Sequence, residues 1–264
     1  MPSTGSSSGL DSAVSTAVVL RPTSEPGVRF PPEVDTVKAR DRRGQERAIT
    51  GNRLTSWAFA EAYGAPDAES AEGTALRWAR ERAREAGVRA VSPGTGDALR
   101  LLAAVSGARA VVEIGTGTGV SGIHLLTGMR SEAVLTTVDT EPERQQFARQ
   151  AFRLAGFAAN RTRIIPGHAL DVLPRLTDGG YDLVFCDGDR LEYLECLAES
   201  LRLLRPGGLV CFAGVFAGGR TVDSAAAPTE VRRLRELLRA VRESPELTPA
   251  LLPVGDGLLC AARV

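Results

Sequence analysis

The chain has 264 residues, of which 43% are hydrophobic and 24% are charged, so it can form one sizeable core and is neither fibrous nor wholly disordered. Lys+Arg and Asp+Glu both total 32, which leaves no net positive charge to hold a nucleic acid backbone or an anionic membrane surface. The balance favours a small-molecule partner, with no nucleic acid and no membrane.

The four cysteines bear on the compartment and on metal binding. They show no paired C-x-x-C spacing, so we expect free thiols and no zinc site. No run approaches the roughly 18 to 20 apolar residues of a membrane span, and the first residues lack the basic and apolar regions of a signal peptide. We therefore expect a cytoplasmic protein.

The N-terminal segment, residues 1–45, is rich in Ser, Thr, Gly and Pro and has no sustained apolar periodicity. Such a segment cannot bury enough apolar surface to offset its ordering entropy, so we predict a disordered tail. The remainder, 46–264, is predicted to be one domain. Its first part, 46–107, carries apolar residues at helical spacing, interrupted at Gly87 and Gly107, and is predicted to hold three helices.

From residue 108 to 264 the pattern alternates between strand and helix. Five apolar runs are predicted to be buried strands: 110–114, 133–138, 162–165, 181–186 and 209–215. Helices are predicted between and after them at 122–129, 143–155, 169–176, 193–204 and 228–242. This alternation is typical of an α/β fold with a mostly parallel sheet and helices on both faces. Two last strands, 250–254 and 258–264, flank Gly255-Asp256-Gly257 and predict an antiparallel C-terminal hairpin.

A glycine-rich loop, Glu113 to Gly119, lies where the first buried strand meets a helix. Glycines there let the backbone approach a ligand closely. The spacing from Gly117 to Gly122 also fits G-x-G-x-x-G, so a nicotinamide dinucleotide remains an alternative. Glu113 favours S-adenosylmethionine, because a carboxylate repels a pyrophosphate but accepts hydrogen bonds from an ammonium group. Asp139, at the end of the second strand, would suit the ribose of either cofactor.

Five segments give the chain a specific resemblance: VVEIGTGTGVSGIHLL, VLTTVDTEPER, YDLVFCDGDR, LRLLRPGGLV and LTPALLPVGDGLL. From about Trp57 to Val264, the chain resembles the bacterial O-methyltransferases related to catechol and caffeoyl-CoA O-methyltransferases. The resemblance implies a Rossmann-like class I methyltransferase fold with a seven-stranded sheet, S-adenosylmethionine as cofactor, a small-molecule acceptor and a homodimer. It also implies a substrate contact at Asp187 and cofactor contacts at Val91, Glu113, Gly115, Thr116, Ser121, Asp139, Thr140, Ala169 and Asp189.

The sequence departs from the metal-dependent members of that family. These members hold magnesium with the first Asp of a D-x-D motif and an Asp-Asn pair after the fifth strand, where this chain has Ala213 and Gly214. Arg190 stands near the position of their lysine base and cannot accept a proton. We therefore expect no divalent metal, as in an actinobacterial-type subgroup lacking the Asp-Asn pair. The general base is not identified: His168 borders the expected cofactor pocket, and an unshifted Asp187 would be a weak base.

The sequence thus predicts an S-adenosylmethionine-dependent O-methyltransferase that acts on a small molecule without a metal. Two alternatives remain open. The missing metal ligands suggest a catalytically inactive cofactor-binding protein with a regulatory or scaffold role. The glycine spacing suggests an NAD(P)-dependent oxidoreductase, although Glu113 and the terminal hairpin disfavour it.

Overall fold

A computed structural model describes residues 37–40, 46–49, 51–223 and 228–264. Its first elements are two short strands, β1 (Val37–Arg40) and β2 (Glu46–Ile49), which pair with each other in antiparallel fashion. This pair spans the boundary predicted at residue 45. Residues 1–36 lie outside the described residues, so the disordered tail stays a prediction.

Three helices follow: α1 (Gly51–Ala62), α2 (Ala71–Glu85) and α3 (Pro93–Val105). The side chains of Ser70 and Ser92 cap α2 and α3 by accepting hydrogen bonds from backbone N–H groups inside each helix. Such caps satisfy donors that have no partner within the helix. The three predicted N-terminal helices are confirmed.

The remaining strands form one sheet. They are β3 (Ala110–Ile114), β4 (Val134–Asp139), β5 (Thr162–Pro166), β6 (Tyr181–Cys186), β7 (Leu204–Ala213), β8 (Leu247–Leu252) and β9 (Leu258–Arg263). The spatial order is β5-β4-β3-β6-β7-β9-β8. Neighbours from β5 to β7 are parallel, whereas β9 runs antiparallel to both β7 and β8. The predicted mostly parallel seven-stranded sheet with its antiparallel hairpin is confirmed.

Helices cover both faces of this sheet. After the glycine loop come α4 (Val120–Gly128), α5 (Pro142–Leu154), α6 (Ala169–Val172), α7 (Tyr193–Leu203), α8 (Arg220–Asp223) and α9 (Thr229–Glu243). Side chains alternate between the faces of a strand, so Val111 packs in one apolar cluster and Val112 in another. The first cluster includes residues of α2 to α5, and the second includes residues of α7 and α9. Two cores on opposite faces explain why β3 is apolar along most of its length.

Strand β7 differs from its prediction. It begins at Leu204, five residues earlier than predicted, and contains the Pro206-Gly207-Gly208 segment expected to be a turn. The register of β6 against β7 shifts between the pairs Tyr181 with Leu204 and Leu183 with Leu209. Gly207 has a φ of +76°, so this residue keeps a turn-like backbone conformation inside an irregular strand.

All four cysteines are buried and free. No helix among the described residues combines the length and hydropathy required to cross a bilayer.

Helices α3 and α4 pack with their backbones in contact at Gly128. A Cβ at this position would lie 2.1 Å from the carbonyl oxygen of Arg100. We expect Gly128→Ala to lower the free energy of unfolding by about 1 to 3 kcal/mol, because the helices must move apart to admit the methyl group. Urea unfolding measures the change. Gly180→Ala is the control, since its Cβ would come no closer than 3.4 Å to a neighbour; equal stability of both variants would contradict the close packing.

Candidate active site

A cleft of about 440 Å³ opens at the carboxyl ends of β3, β4 and β6. In an open α/β sheet, ligands bind at this edge, near the point where the strand order reverses. The reversal here lies between β3 and β6. Nine of the ten residues predicted to contact cofactor or substrate line the cleft: Val91, Gly115, Thr116, Ser121, Asp139, Thr140, Ala169, Asp187 and Asp189.

The glycine loop forms the floor of the cleft. Gly115, Gly117 and Gly119 have φ values of +96°, +50° and +93°, a region that side chains rarely adopt. Gly115 also has no room for a side chain, because a Cβ would lie 2.6 Å from the carbonyl oxygen of Asp187. The loop therefore presents bare backbone to the cleft and lies directly against the chain that leaves β6.

Glu113 is the predicted contact that lies outside the cleft lining. Its side chain is fully buried beneath the glycine loop, and its two oxygens accept hydrogen bonds of 2.6 Å from the hydroxyls of Ser121 and Thr137. Thr137 is in turn 2.7 Å from the hydroxyl of Thr116, which accepts a hydrogen bond from Gln145. Glu113 thus connects the loop, α4 and β4, and the direct contact with an ammonium group stays a prediction.

The buried position of Glu113 changes its acidity. Burial raises the pKa of this carboxyl to about 7, and the nearby charges of Asp187 and Asp139 act in the same direction. The hydrogen bonds from Ser121 and Thr137 oppose this shift. The three carboxyl groups together make this end of the cleft favourable for a cation and unfavourable for a pyrophosphate.

Asp139 holds the loop in place at the end of β4. One carboxylate oxygen accepts a hydrogen bond of 2.8 Å from the backbone N–H of Gly117, and the other accepts one of 3.0 Å from that of Glu141. A carboxylate has about four lone-pair sites, so two remain for hydroxyl groups of a ligand. This arrangement fits the ribose contact predicted from the sequence.

Asp187 follows β6 and lies half-buried where the cleft meets two further cavities. Burial raises its pKa to about 7, against the opposing charges of Arg89 and Arg190. At neutral pH this carboxyl can therefore exchange a proton, which an ordinary aspartate cannot do efficiently. Its position on the backbone is fixed, because its N–H donates to the carbonyl of Ile114 at 2.8 Å.

Several residues around these cavities were not predicted from the sequence. Arg89 and Asp256 both line the smaller cavity of about 280 Å³ beside Ala213 and Gly214, and they pair at 3.4 Å. His168 lies in the main cleft as expected, with its Nε2 atom 2.9 Å from Glu192. Asp256 was visible in the sequence only as a turn residue, because its partners are far away along the chain.

His124, the second of the two histidines in the chain, lies outside the cleft lining. It is buried in α4, with Nδ1 3.8 Å from Asp97. Burial, with the charges of Arg80 and Arg100, lowers its pKa to about 4, so the imidazole is neutral at pH 7.

The strand order, the glycine-loop cleft and the carboxylates around it define a Rossmann-like class I methyltransferase. A family model described as O-methyltransferase matches residues 74–264, which is more than half of the chain. The chain therefore belongs to the O-methyltransferase family and is an S-adenosylmethionine-dependent O-methyltransferase. This assignment replaces the oxidoreductase alternative.

Similar proteins support the assignment to the O-methyltransferase family. The chain is 48% identical over 223 residues to a probable O-methyltransferase of Mycobacterium tuberculosis, covering 84% of this chain and 96% of that protein. The O-methyltransferase TomG of Streptomyces achromogenes, solved with S-adenosylmethionine, has a TM-score of 0.70 at 27% identity and covers 80% of this chain and 96% of its own. A Corynebacterium glutamicum structure has a TM-score of 0.73 at 27% identity, covering 80% and 97%.

The raised pKa of Glu113 should make the free energy of unfolding depend on pH. Between about pH 4.5 and pH 7 the folded protein holds a proton on Glu113 that the unfolded chain has released, so this residue lowers stability as the pH rises through that window. Glu113→Gln removes the titration. We expect the stability of the variant relative to wild type to increase across the window by on the order of 3 kcal/mol.

Urea unfolding at several pH values from 4.5 to 8 measures this difference. Glu132→Gln, at an exposed carboxyl, serves as the control for removing a charge. Stability curves of wild type and Glu113→Gln that run parallel over the whole range would contradict the assigned titration.

Proposed function

We propose that the protein transfers a methyl group from S-adenosylmethionine to a hydroxyl of a small-molecule acceptor without a divalent metal. The observation that supports this most is the position of Asp187. Its carboxyl group has a pKa of about 7 and lies where the cofactor cleft meets the cavities on the acceptor side. A group with that pKa can accept a proton from a hydroxyl at neutral pH.

The residues of the main cleft fit the cofactor. When bound, S-adenosylmethionine supplies a methyl group on a positively charged sulfur. Asp139 would hold the ribose hydroxyls with its two remaining acceptor sites. The methionine end would lie along the glycine loop, at Val91, Gly115, Thr116 and Ser121 above Glu113, and the adenine end at Thr140, Ala169 and Asp189. The acidic side chains beneath the loop favour the positive charges of this ligand.

Asp187 would bind the acceptor hydroxyl and take its proton. The N–H of Asp187 donates to Ile114 at the end of β3, so the sheet fixes the backbone of the residue that carries the proposed base. The charges of Arg89 and Arg190 oppose the larger effect of burial on its pKa. In the proposed reaction the acceptor oxygen gains the methyl group as its proton passes to Asp187.

The residues at the end of β7 cannot form the metal site of the metal-dependent relatives. Ala213 and Gly214 provide no side-chain oxygen, and the guanidinium of Arg190 lies against Gly214. Among the described residues, no group of three His, Cys, Asp or Glu side chains is arranged to hold a metal ion. These observations support a metal-independent reaction. We also propose a homodimer, as the family resemblance implies, and a cytoplasmic location, which the free cysteines favour.

The role of Asp139 can be tested by cofactor binding. Asp139→Ala loses the hydrogen bonds to the ribose and to the loop, each to a charged group and worth about 1.5 to 3 kcal/mol. We expect S-adenosylmethionine to bind at least about tenfold more weakly, measured by calorimetry. Glu132→Ala, at an exposed carboxyl outside the cleft lining, should bind as wild type does. Tighter binding of NAD than of S-adenosylmethionine by the wild-type protein would sink the assignment of the cleft.

The role of Asp187 can be tested by turnover. A panel of small phenols and alcohols is incubated with S-adenosylmethionine, and the demethylated product is quantified by mass spectrometry. Since the base must be ionised, we expect kcat to rise with pH up to about 7 and then level off. Asp187→Asn should lower kcat by about 10²- to 10⁴-fold and remove this dependence. Activity that EDTA abolishes and magnesium restores would instead show a metal-dependent reaction.

A further inference from the structure

The side chain of Arg190 is held in one position just after the end of β6. Its side chain is only 15% exposed. One terminal nitrogen donates to Glu230 of α9 at 2.9 Å, and the other donates to Asp256 of the terminal hairpin turn at 3.3 Å. Two elements far apart in the sequence therefore fix the guanidinium at the end of β6.

The guanidinium fills the space beside Gly214. A Cβ at Gly214 would lie 2.1 Å from Nη2 and 2.9 Å from Cζ of Arg190. Gly214 also has a φ of +69°, a conformation that asparagine adopts more readily than most residues. An asparagine is the residue that the metal-dependent relatives have at this position. A side chain at residue 214 therefore requires the guanidinium of Arg190 to move out of this position.

The charges around this position explain what the guanidinium can do. Glu230 and Asp256 bind it directly, and Asp187 and Tyr193 lie within its electrostatic reach. A guanidinium has five N–H donors, and these two carboxylates use two of them among the described residues. The others can bind an oxygen in the cavity that Arg190 shares with Asp187.

We propose that the Arg190 guanidinium takes the place of the divalent cation, as the fixed positive charge that holds the acceptor oxygen while Asp187 removes its proton. This inference rests on the proposed acceptor site at Asp187. The proton leaves the hydroxyl for the carboxylate of Asp187, and the negative charge left on oxygen is stabilised by the guanidinium until the methyl group arrives. A fixed charge at a developing oxyanion is an effective form of electrostatic catalysis. Arg190 stays protonated throughout.

A purely structural role is the competing explanation, because Arg190 also ties α9 to the hairpin turn. The two roles differ in one measurable property. A structural residue affects stability, whereas a charge at the acceptor oxygen changes the ionisation of a bound phenol. We therefore choose 4-nitrophenol as the probe, since its phenolate absorbs visible light and its phenol form does not.

The protein is first loaded with S-adenosylhomocysteine, which cannot donate a methyl group, and then titrated with 4-nitrophenol below the pKa of the free phenol. We expect wild type to bind the phenolate, so that the ionised fraction increases severalfold. Arg190→Gln should lose this increase and bind at least about tenfold more weakly. Arg220→Gln is the matched control, because Arg220 also pairs with Glu230 but lies outside the cavities beside Asp187.

Three results would overturn the proposal: no increase in phenolate with wild type, an unchanged increase with Arg190→Gln, or an equal loss with Arg220→Gln. If Arg190→Gln does not fold, the same titration is done with Arg190→Lys. The lysine keeps the charge but not the planar fork, so phenolate should still be bound, with lower affinity. A folded Arg190→Lys variant without bound phenolate would also overturn it. Failure of the proposed function would give a different result: the wild-type protein would not bind S-adenosylmethionine or would not turn it over with any acceptor.

A second measurement tests whether guanidinium and cation compete for the same space. Mn²⁺ alone is titrated, with detection by electron paramagnetic resonance, into Ala213→Asp/Gly214→Asn variants with and without Arg190→Ala. We expect Mn²⁺ to bind only when Arg190 is removed, because three oxygen ligands are then free around an open space. Equal binding with and without Arg190, or no binding in either case, would show that the guanidinium does not replace the cation.

Discussion

The buried carboxyl of Glu113 is the interaction on which the rest of the cleft depends. It lies at the end of the central strand β3, and its two oxygens bind one hydroxyl from α4 and one from β4. Removing a partner from a buried carboxyl is costly, so these three elements must keep one relative position. The glycine loop above is consequently fixed in shape although its glycines are intrinsically flexible. A raised pKa accompanies this arrangement, because the carboxyl is removed from water.

The sequence predicted the architecture well because hydrophobic periodicity reports burial directly. Strands such as β3 and β6 are buried on both faces, and their apolar runs gave their limits without error. The limits of β7 and β8 were less accurate. In β7 the turn residues Pro206 and Gly207 lie within an irregular strand, whereas β8 begins three residues early at Leu247 and is exposed along most of its length. An exposed edge strand has little apolar pattern from which to predict its ends.

The candidate site was predictable only where a motif carries the information locally. The glycine loop and the residues at strand ends were found because parallel strands bring their carboxyl ends to one edge of the sheet. The network of Arg190 with Glu230 and Asp256 was not, since these residues are 40 and 66 positions away from the arginine. The sequence also could not show that Glu113 lies under the loop or that Asp187 has a raised pKa. Both properties depend on burial produced by distant elements.

The cofactor side and the acceptor side of the site share one peptide segment. Asp187 donates its N–H to Ile114, and its carbonyl lies so close to Gly115 that a side chain there could not be accommodated. A change in the glycine loop would therefore move the base of the proposed reaction. Conversely, Asp256 in the turn of the terminal hairpin accepts a hydrogen bond from the guanidinium of Arg190, whose charge acts on Asp187. The reacting groups are thus positioned by the sheet and its last turn, which is the kind of rigid support that preorganised catalysis requires.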